Sequence, residues 1–476
     1  MKDISNNIKK IMMVFLICFL GLFMYITYFE ISVGPKIVSS QYNRRIWAQK
    51  NKVLRGSIYD RNNKEISKSS RIDEKSQKRQ YIGGEAFAHV LGYINPQYGI
   101  TGIERRYDEQ LSNTDIKEDI KSIFKIEKDE NKEKYGNNLK TSLDFNLQQK
   151  AYELLGDKKG AVVALNPKTG EVLALVSKPS YNPNNLKEIW GDINKNENRP
   201  LLNRATSGLY PPGSIFKVVT AASALQNIDG LMSKVFIDNG ALVFNERQSL
   251  KNYGGAAFGS INFRTAFIRS SNVVFGQLGL DLGNSKLKKT SEDFYFNKDI
   301  NSSDIAIENS QFPTLKSNEK GNIAQSAIGQ ASLLATPMEM ALVSSTIAND
   351  GVMMKPYIVK EIVNKKGIAI DKKKPEALGE IVSKDVANII KDLMASVVSE
   401  GTGGNAAVQG IRVCGKTGTA DHKEGGYGYS PHSWFMGFAP YENPQVAVAV
   451  IVEEGGQGGG ISSRIASQII RTALYK

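Results

Sequence analysis

The chain has 476 residues, a formal net charge of +13 and 41% hydrophobic residues. This length predicts two or three domains with a large buried core, and the composition excludes a disordered chain. The positive charge is typical of nucleic-acid-binding proteins, but no motif of such proteins accompanies it. We therefore expect no nucleic-acid partner.

An uncharged apolar run, Ile11 to Tyr28, follows Lys9 and Lys10 near the N-terminus. Its length is close to the minimum for crossing a bilayer, and the preceding lysines favour a cytoplasmic N-terminus. We expect a single-pass protein of the cell membrane, with a cytoplasmic tail over residues 1–10, a transmembrane anchor over residues 11–30 and everything after it outside. A cleaved signal peptide is the alternative, although no small-x-small cleavage site follows the run.

Residues 36–140 are predicted to form a small accessory domain ahead of a larger domain over residues 141–476. A Ser-Ile-Phe-Lys sequence at Ser122–Lys125 lies in a run of alternating charges, which is typical of a solvated helix face or loop. Thr141–Asp144 predicts the start of a helix at the beginning of the larger domain. The apolar positions that follow at helical spacing are Leu147, Ala151 and Leu154.

Two apolar runs, Gly160–Leu165 and Glu171–Val176, are typical of neighbouring strands. Asn166–Gly170 fits the turn between them and contains a Lys-Thr-Gly sequence at Lys168. We interpret this Lys-Thr-Gly copy as a hairpin turn and the Ser122 copy as surface, so neither is expected to be catalytic.

Three short motifs stand in order along the larger domain: Ser214–Lys217, Ser270–Asn272 and Lys416–Gly418. With one variation, they resemble the S-x-x-K, S-D-N and K-T-G set of penicillin-binding proteins and class A β-lactamases. The first motif follows the turn Tyr210–Gly213 and precedes a small apolar run that suits a buried helix. The third motif follows Ile411–Gly415 and is predicted to lie on a strand.

A serine hydroxyl is a weak nucleophile until a neighbouring base takes its proton. The sequence contains only three histidines, His89, His422 and His432. Since no serine has a G-x-S-x-G context, Lys217 is the predicted base for Ser214. A free lysine has a pKa of roughly 10.4, so burial and the nearby cation Lys416 would have to lower it.

The other motif residues fit proton transfer and substrate binding. Ser270 is expected to relay a proton between the lysines and the leaving group. Asn272 is expected to hold Lys217 on one side and a substrate amide on the other. Lys416 would attract a substrate carboxylate. Further residues expected to bind the substrate on this strand are Thr417, Gly418 and Thr419.

Four further segments make the chain similar to the class B penicillin-binding proteins, which are peptidoglycan D,D-transpeptidases. The segments are Arg55–Arg61, Thr101–Glu104, Thr336–Ala341 and Trp434–Pro440. The resemblance implies an α+β fold with a serine β-lactamase/transpeptidase-like domain, in which an antiparallel sheet meets a helical region at the active site. It also implies that the backbone N–H groups of Ser214 and Thr419 form the oxyanion hole. One departure is Ser271, which stands where the pattern has Asp, a variation that the family tolerates.

The resemblance implies that Ser214 attacks the carbonyl between two D-alanines of a peptidoglycan stem peptide and passes the acyl group to an amine of a neighbouring strand. β-Lactam antibiotics would mimic this donor and acylate the same serine. No metal and no cofactor are implied. A SEDS-type glycan polymerase in the membrane is the implied partner.

Two alternatives stay open. A D,D-carboxypeptidase or β-lactamase of the same superfamily would use water as the acceptor, although the segments Arg55–Arg61 and Thr101–Glu104 disfavour it. A scaffold that activates a membrane glycan polymerase would need no catalysis. The glycine-rich stretches Gly425–Gly428 and Gly455–Gly460 are expected to be either mobile rims of the cleft or plain surface turns.

Overall fold

The computed structural model describes residues 2–33, 47–48, 50–73, 76–112, 133–421 and 430–475. The Ser-Ile-Phe-Lys copy at Ser122–Lys125 and the glycine-rich stretch Gly425–Gly428 lie outside these ranges. The fold is α+β, as predicted, with an apolar N-terminal helix and antiparallel strands packed against helices.

The N-terminal helix α1 (Lys2–Tyr28) continues into a π turn over Phe29–Val33. Within the described ranges, Asn6–Val33 is the one segment that is long and apolar enough to cross a membrane. Its large apolar side chains are exposed, as expected where lipid rather than protein would cover them. The segment fits a single-pass anchor and contains the predicted span 11–30.

Short strands and helices form the part of the chain that follows. Its strands are β1 (Val53–Leu54), β2 (Ile58–Tyr59), β3 (Glu65–Asp73), β4 (Ser76–Tyr81), β5 (Ile94–Asn95), β6 (Gly99–Ile100), β7 (Lys134–Tyr135) and β8 (Asn138–Thr141). Its helices are α2 (Ala88–Leu91), α3 (Gly102–Arg106) and α4 (Asp108–Ser112).

A buried ion-pair network joins the segments Arg55–Arg61 and Thr101–Glu104. Arg55 Nε lies 2.7 Å from Glu104 Oε2, and Arg79 Nε lies 2.8 Å from Glu104 Oε1. Arg55 also bonds Asp108 and the hydroxyl of Ser112, both at 2.7 Å. Because buried charges require such partners, these residues fix the packing of α3 and α4 against the strands.

From residue 145 onward, the described ranges contain thirteen strands and ten α-helices. The strands are β9 (Gly160–Leu165), β10 (Val172–Lys178), β11 (Val235–Asp238), β12 (Ala241–Asn245), β13 (Gln248–Lys251), β14 (Gly259–Asn262), β15 (Val352–Met354), β16 (Val359–Val363), β17 (Ala369–Lys372), β18 (Ala377–Glu380), β19 (Cys414–Ala420), β20 (His432–Ala439) and β21 (Val446–Val452). The helices are α5 (Phe145–Leu155), α6 (Leu186–Lys195), α7 (Arg204–Ser207), α8 (Lys217–Asn227), α9 (Phe263–Arg269), α10 (Asn272–Asp293), α11 (Lys320–Ser326), α12 (Pro337–Ala348), α13 (Lys384–Glu400) and α14 (Ile461–Leu474).

The core of the larger domain is a five-stranded antiparallel sheet in the order β10-β9-β21-β20-β19. Alternate residues point to opposite faces of a strand, so Val162 packs with α5 and α14 while Val163 packs with the helices on the other side. With both faces covered, the inner strands β9 and β21 carry no polar side chains. Strand β19 forms one edge of the sheet and carries the predicted Lys416 motif.

A second sheet has six strands in the order β17-β16-β8-β2-β3-β4. Its strands β16 and β17 come from residues 359–372, far along the chain from β2 and β3. Thr141 of β8 pairs with Val359 of β16. The sequence did not predict this sheet, which ties the accessory part of the chain to the larger domain.

Two local predictions are confirmed at the start of the larger domain. Asp144 caps the helix α5 by accepting hydrogen bonds from the backbone of Asn146 and Leu147. The buried face of the helix includes Leu155, whereas Leu154, which was predicted to lie there, is half-buried. The Lys168 copy of Lys-Thr-Gly lies in the turn between the antiparallel strands β9 and β10, so this copy is a hairpin turn.

Candidate active site

Ser214 lies on a 3₁₀ turn, Gly213–Phe216, that leads directly into helix α8. In a 3₁₀ turn, side chains three residues apart eclipse, which puts Ser214 and Lys217 on the same side. Gly213 has a φ of 56°, and its N–H donates to the carbonyl of Gly329 at 2.9 Å. A glycine is required here because a Cβ would lie 2.6 Å from the carbonyl oxygen of Thr419.

The second motif lies between two helices. Helix α9 ends at Arg269, and Ser270 follows in the left-handed conformation with a φ of 59°. Such a conformation is costly for a non-glycine residue and persists only where the surroundings enforce it. Ser271 then caps helix α10 by accepting a hydrogen bond from Val274 N–H. The turn thereby directs Ser270 and Asn272 toward Lys217.

The third motif packs directly against the turn that carries Ser214. Gly418 on β19 approaches that turn so closely that a Cβ would lie 2.9 Å from the Pro212 carbonyl oxygen and 3.0 Å from Ile215 Cγ2. The sequence interpretation gave this glycine a role in substrate approach. The structure shows that a glycine is needed at position 418 for close contact between the strand and the turn that carries Ser214.

Two lysine side chains meet at one serine hydroxyl. Lys217 Nζ lies 2.7 Å from the carbonyl oxygen of Ser270, 2.7 Å from Asn272 Oδ1 and 3.2 Å from Ser270 Oγ. Lys416 Nζ lies 2.9 Å from the same Ser270 Oγ. Both lysines are fully buried. The structure therefore brings Lys217, Ser270, Asn272 and Lys416 together, as predicted from residues that are far apart in the sequence.

Burial favours the neutral form of both amines. Burial holds the pKa of Lys217 well below its ordinary value, the cation of Lys416 lowers it further, and Asp238 offsets part of the effect. Burial lowers the pKa of Lys416 to about 7. Both shifts are in the direction that the predicted role of Lys217 as a base requires.

The predicted substrate-binding side chains are already engaged within the protein. The amide nitrogen of Asn272 donates to the carbonyl of Lys251 at 2.8 Å. The hydroxyl of Thr417 shares a hydrogen bond of 2.6 Å with that of Thr402. Thr419 Oγ1 accepts from Gly458 N–H at 3.1 Å, which leaves its hydrogen available to a ligand.

The sequence interpretation missed Asp238 and Asn252, which lie beneath the second motif. Asn252 Oδ1 accepts from the backbone N–H of Asn272 at 2.7 Å, and its amide nitrogen donates to both oxygens of Asp238 at 2.8 and 2.9 Å. Asp238 is fully buried. The one sequence signal for these residues is the Asp-Asn-Gly turn that begins at Asp238, and it does not point to a catalytic site.

The stretch Gly455–Gly460 forms one rim of the site. Gly458 reaches Thr419, and Gln457 Nε2 donates to the hydroxyl of Tyr253 at 2.8 Å. Tyr253 follows Asn252 in the chain, so this stretch contacts residues next to both the second and the third motif.

Cys414 precedes the third motif on β19 and is fully buried and unpaired. Burial raises the pKa of its thiol to about 12, so it behaves as a small apolar residue, as predicted. His89 is half-buried, and its Nε2 lies 2.8 Å from the carbonyl oxygen of Pro200. His422 lies outside the described residues. In the described part of the chain, no group of three or more His, Cys, Asp or Glu side chains could hold a metal ion.

Comparisons with known proteins agree with this geometry. Residues 160–471 match the family of the penicillin binding protein transpeptidase domain, and residues 55–139 match the penicillin binding protein A dimerisation domain. The chain is 34% identical over 420 residues to the peptidoglycan D,D-transpeptidase PbpA of Mycolicibacterium smegmatis, which covers 83% of this chain and 84% of that protein. It is 29% identical over 435 residues to the peptidoglycan D,D-transpeptidase MrdA of Acinetobacter baumannii, which covers 81% of this chain and 64% of that protein.

Solved structures show the same fold. The ceftriaxone acyl-enzyme of penicillin-binding protein A from M. tuberculosis superposes with a TM-score of 0.83 at 30% identity, over 90% of this chain and 100% of that one. The D,D-transpeptidase domain from Eggerthella lenta gives a TM-score of 0.79 at 34% identity, over 89% of this chain and 98% of that one. The chain therefore belongs to the penicillin-binding protein transpeptidases and, within them, to the class B proteins.

Proposed function

We propose that this protein is a peptidoglycan D,D-transpeptidase that works through an acyl-enzyme on Ser214. The observation that carries the proposal is the meeting of two buried lysines, Lys217 and Lys416, at the hydroxyl of Ser270 beside the Ser214 turn. Relatives named D,D-transpeptidases and a homologous ceftriaxone acyl-enzyme support the same class of reaction.

In the acylation step, neutral Lys217 accepts the proton of Ser214 while the serine oxygen bonds the carbonyl carbon between two D-alanines. A neutral amine has two hydrogens and one lone pair. We propose that the two hydrogens are donated to the Ser270 carbonyl and to Asn272 Oδ1, both 2.7 Å away, and that the lone pair accepts the Ser214 proton. The backbone N–H groups of Ser214 and Thr419 are the proposed oxyanion hole.

The C–N bond then breaks, and the amine of the terminal D-alanine leaves with a proton delivered through Ser270. Ser270 suits this relay because its hydroxyl lies within hydrogen-bond distance of both lysines. In the second half of the reaction, an amine of a neighbouring stem peptide attacks the ester. Its proton passes to Lys217 and back to Ser214, so the enzyme is regenerated and no other reactant is consumed.

Substrate recognition is proposed to rest on the edge strand β19. An extended stem peptide can add to the open side of such a strand through main-chain hydrogen bonds. Protonated Lys416 attracts the terminal carboxylate, and the hydroxyls of Thr417 and Thr419 contribute hydrogen bonds to it. Gly418 keeps the strand close to the nucleophile. β-Lactam antibiotics are proposed to occupy the same cleft and acylate Ser214.

The proposed arrangement in the cell follows from the apolar N-terminal helix. Residues 1–10 lie in the cytoplasm, residues 11–30 cross the membrane, and the accessory domain (36–140) and transpeptidase domain (141–476) lie outside. A SEDS-type glycan polymerase is the proposed membrane partner, since a crosslinking enzyme acts on strands that another enzyme polymerises. Co-purification from detergent extracts, with and without the anchor, tests this partnership.

The test of the catalytic assignment uses the full-length protein in detergent with a fluorescent penicillin. We expect one stable adduct by intact mass, mapped to Ser214, and no adduct in a folded Ser214→Ala variant. Ser122→Ala is the matched control, because Ser122 begins an identical Ser-Ile-Phe-Lys sequence and should label normally. Labelling that persists in Ser214→Ala overturns the assignment. Rapid loss of the adduct favours a β-lactamase, and absence of an adduct in the wild type favours a scaffold.

A further inference from the structure

A buried carboxylate lies directly beneath the second motif. Asp238 Oδ2 accepts a hydrogen bond of 2.6 Å from the hydroxyl of Ser271, and Oδ1 accepts one of 2.9 Å from Gly240 N–H. Both oxygens also accept from the Asn252 amide. All these donors are neutral. A fully buried carboxylate held only by neutral donors is costly, so its presence calls for an explanation.

Hydrogen bonds connect Asp238 to the surroundings of Lys217 by two routes, one through Asn252 and one through Ser271. Asn252 Oδ1 accepts from the backbone N–H groups of Asn272 at 2.7 Å and of Val273 at 3.1 Å. Since Asp238 accepts from the amide nitrogen of Asn252, it fixes which end of that amide faces Asn272. Asn272 Oδ1 in turn holds Lys217 Nζ at 2.7 Å.

The second hydrogen-bonded route passes through Ser271. Its hydroxyl donates to Asp238 and accepts from Val274 N–H at 3.0 Å, so one oxygen both binds the carboxylate and caps helix α10. Ser271 also adjoins Ser270, which is held in the left-handed conformation. The carboxylate on β11 therefore fixes the turn that presents Ser270 and Asn272 to Lys217.

We propose that Asp238 is a positioning residue of the active site, which supplies from strand β11 the carboxylate that the S-D-N pattern carries within the motif itself. This inference rests on the proposed transpeptidase function. It explains how the motif works here with Ser271 at its middle position, because a serine hydroxyl and a neighbouring aspartate replace a single aspartate. Asp238 acts through Ser271 and Asn252 and does not touch the substrate.

Exchanging the side chains of Asp238 and Ser271 tests the proposal. Asp238→Ser alone replaces the two carboxylate oxygens that accept from Ser271 and Asn252 with one shorter hydroxyl. Ser271→Asp alone sets two buried carboxylates against each other. The double variant returns one carboxylate to the pair, and aspartate remains a good helix cap at position 271. We expect each single variant to slow penicillin acylation by about tenfold or more and the double variant to recover most of the wild-type rate.

The pH dependence of the acylation rate provides a second readout, which would not shift if Asp238 had a purely structural role. The charged groups that face Lys217 are Lys416 on β19 and Asp238 on β11. Removing the negative charge in Asp238→Asn favours the neutral form of Lys217. The rise of the acylation rate with pH should therefore move to lower pH, while the maximal rate falls. Ser383→Ala, which removes the exposed cap of helix α13, is the control and should change neither quantity.

The outcomes separate this inference from the proposed function. If the wild type is not acylated at Ser214, the proposed function fails. If the wild type is acylated and Asp238→Asn reacts at the wild-type rate, the inference alone is overturned. A double variant that reacts no faster than Asp238→Ser also overturns it. If Asp238→Ser does not fold, a double variant that folds and labels supports the inference, and one that does not fold overturns it.

Discussion

Neutralising Glu104 should destabilise the accessory part of the protein strongly. Burial disfavours the charged form of Glu104, but the attraction of Arg79 and Arg55 outweighs burial and lowers its pKa below the ordinary value. In Glu104→Gln, two buried guanidinium groups lose their shared carboxylate, and the new amide can accept from only one of them. Breaking a buried ion pair costs about 3–5 kcal/mol, which is a large share of a typical stability of about 5–15 kcal/mol.

The measurement is the free energy of unfolding from urea titrations followed by tryptophan fluorescence. Trp190 stacks on Tyr98 of the accessory part with ring centroids 4.3 Å apart, so its emission reports on this region. Glu361→Gln is the matched control, because Glu361 pairs with an exposed Lys372 and should cost about 0–1 kcal/mol.

The pH dependence adds a second check on Glu104. A carboxylate with a lowered folded-state pKa stabilises the protein above its ordinary pKa, and this contribution is lost as the pH falls through the folded-state value. The difference between wild type and Glu104→Gln should therefore shrink at acidic pH. A Glu104→Gln variant within about 1 kcal/mol of the wild type at neutral pH would refute the reasoning about buried ion pairs.

Three other predictions concern the catalytic domain. The second-order rate constant of penicillin acylation should rise with pH as Lys217 loses its proton, and fall above about pH 7 as Lys416 loses its own. Stopped-flow labelling should find no fall at alkaline pH in Lys416→Arg, because arginine keeps its charge. Burial raises the pKa of Glu339 to about 8, so wild-type stability should fall between pH 5 and 8 by about 4 kcal/mol more than that of Glu339→Gln in urea titrations. Gly418→Ala should slow acylation by roughly tenfold by displacing the turn that carries Ser214. Gly191→Ala, in open space on α6, should keep the wild-type rate in the same assay.

The sequence by itself determined the local features of this protein. Each of the three motifs, the apolar N-terminal run and the turn signals around Lys168 could be predicted because each depends on residue type and short spacing. Asp144 as a helix cap and Cys414 as a buried apolar residue follow in the same way. Each of these features lies within a short stretch of chain, where periodicity and turn residues are sufficient for a prediction.

The tertiary structure alone decided how the motifs work together. Lys217, Ser270 and Lys416 are separated by 53 and 146 residues, and only the fold places them at one hydroxyl and buries both amines. Nothing periodic marks Asp238 as the support of the second motif. Likewise, nothing in the sequence indicates that β16 lies in the same sheet as β2. Long-range contacts arise from the packing of whole elements, and burial, which sets the pKa of each lysine, exists only after that packing is complete.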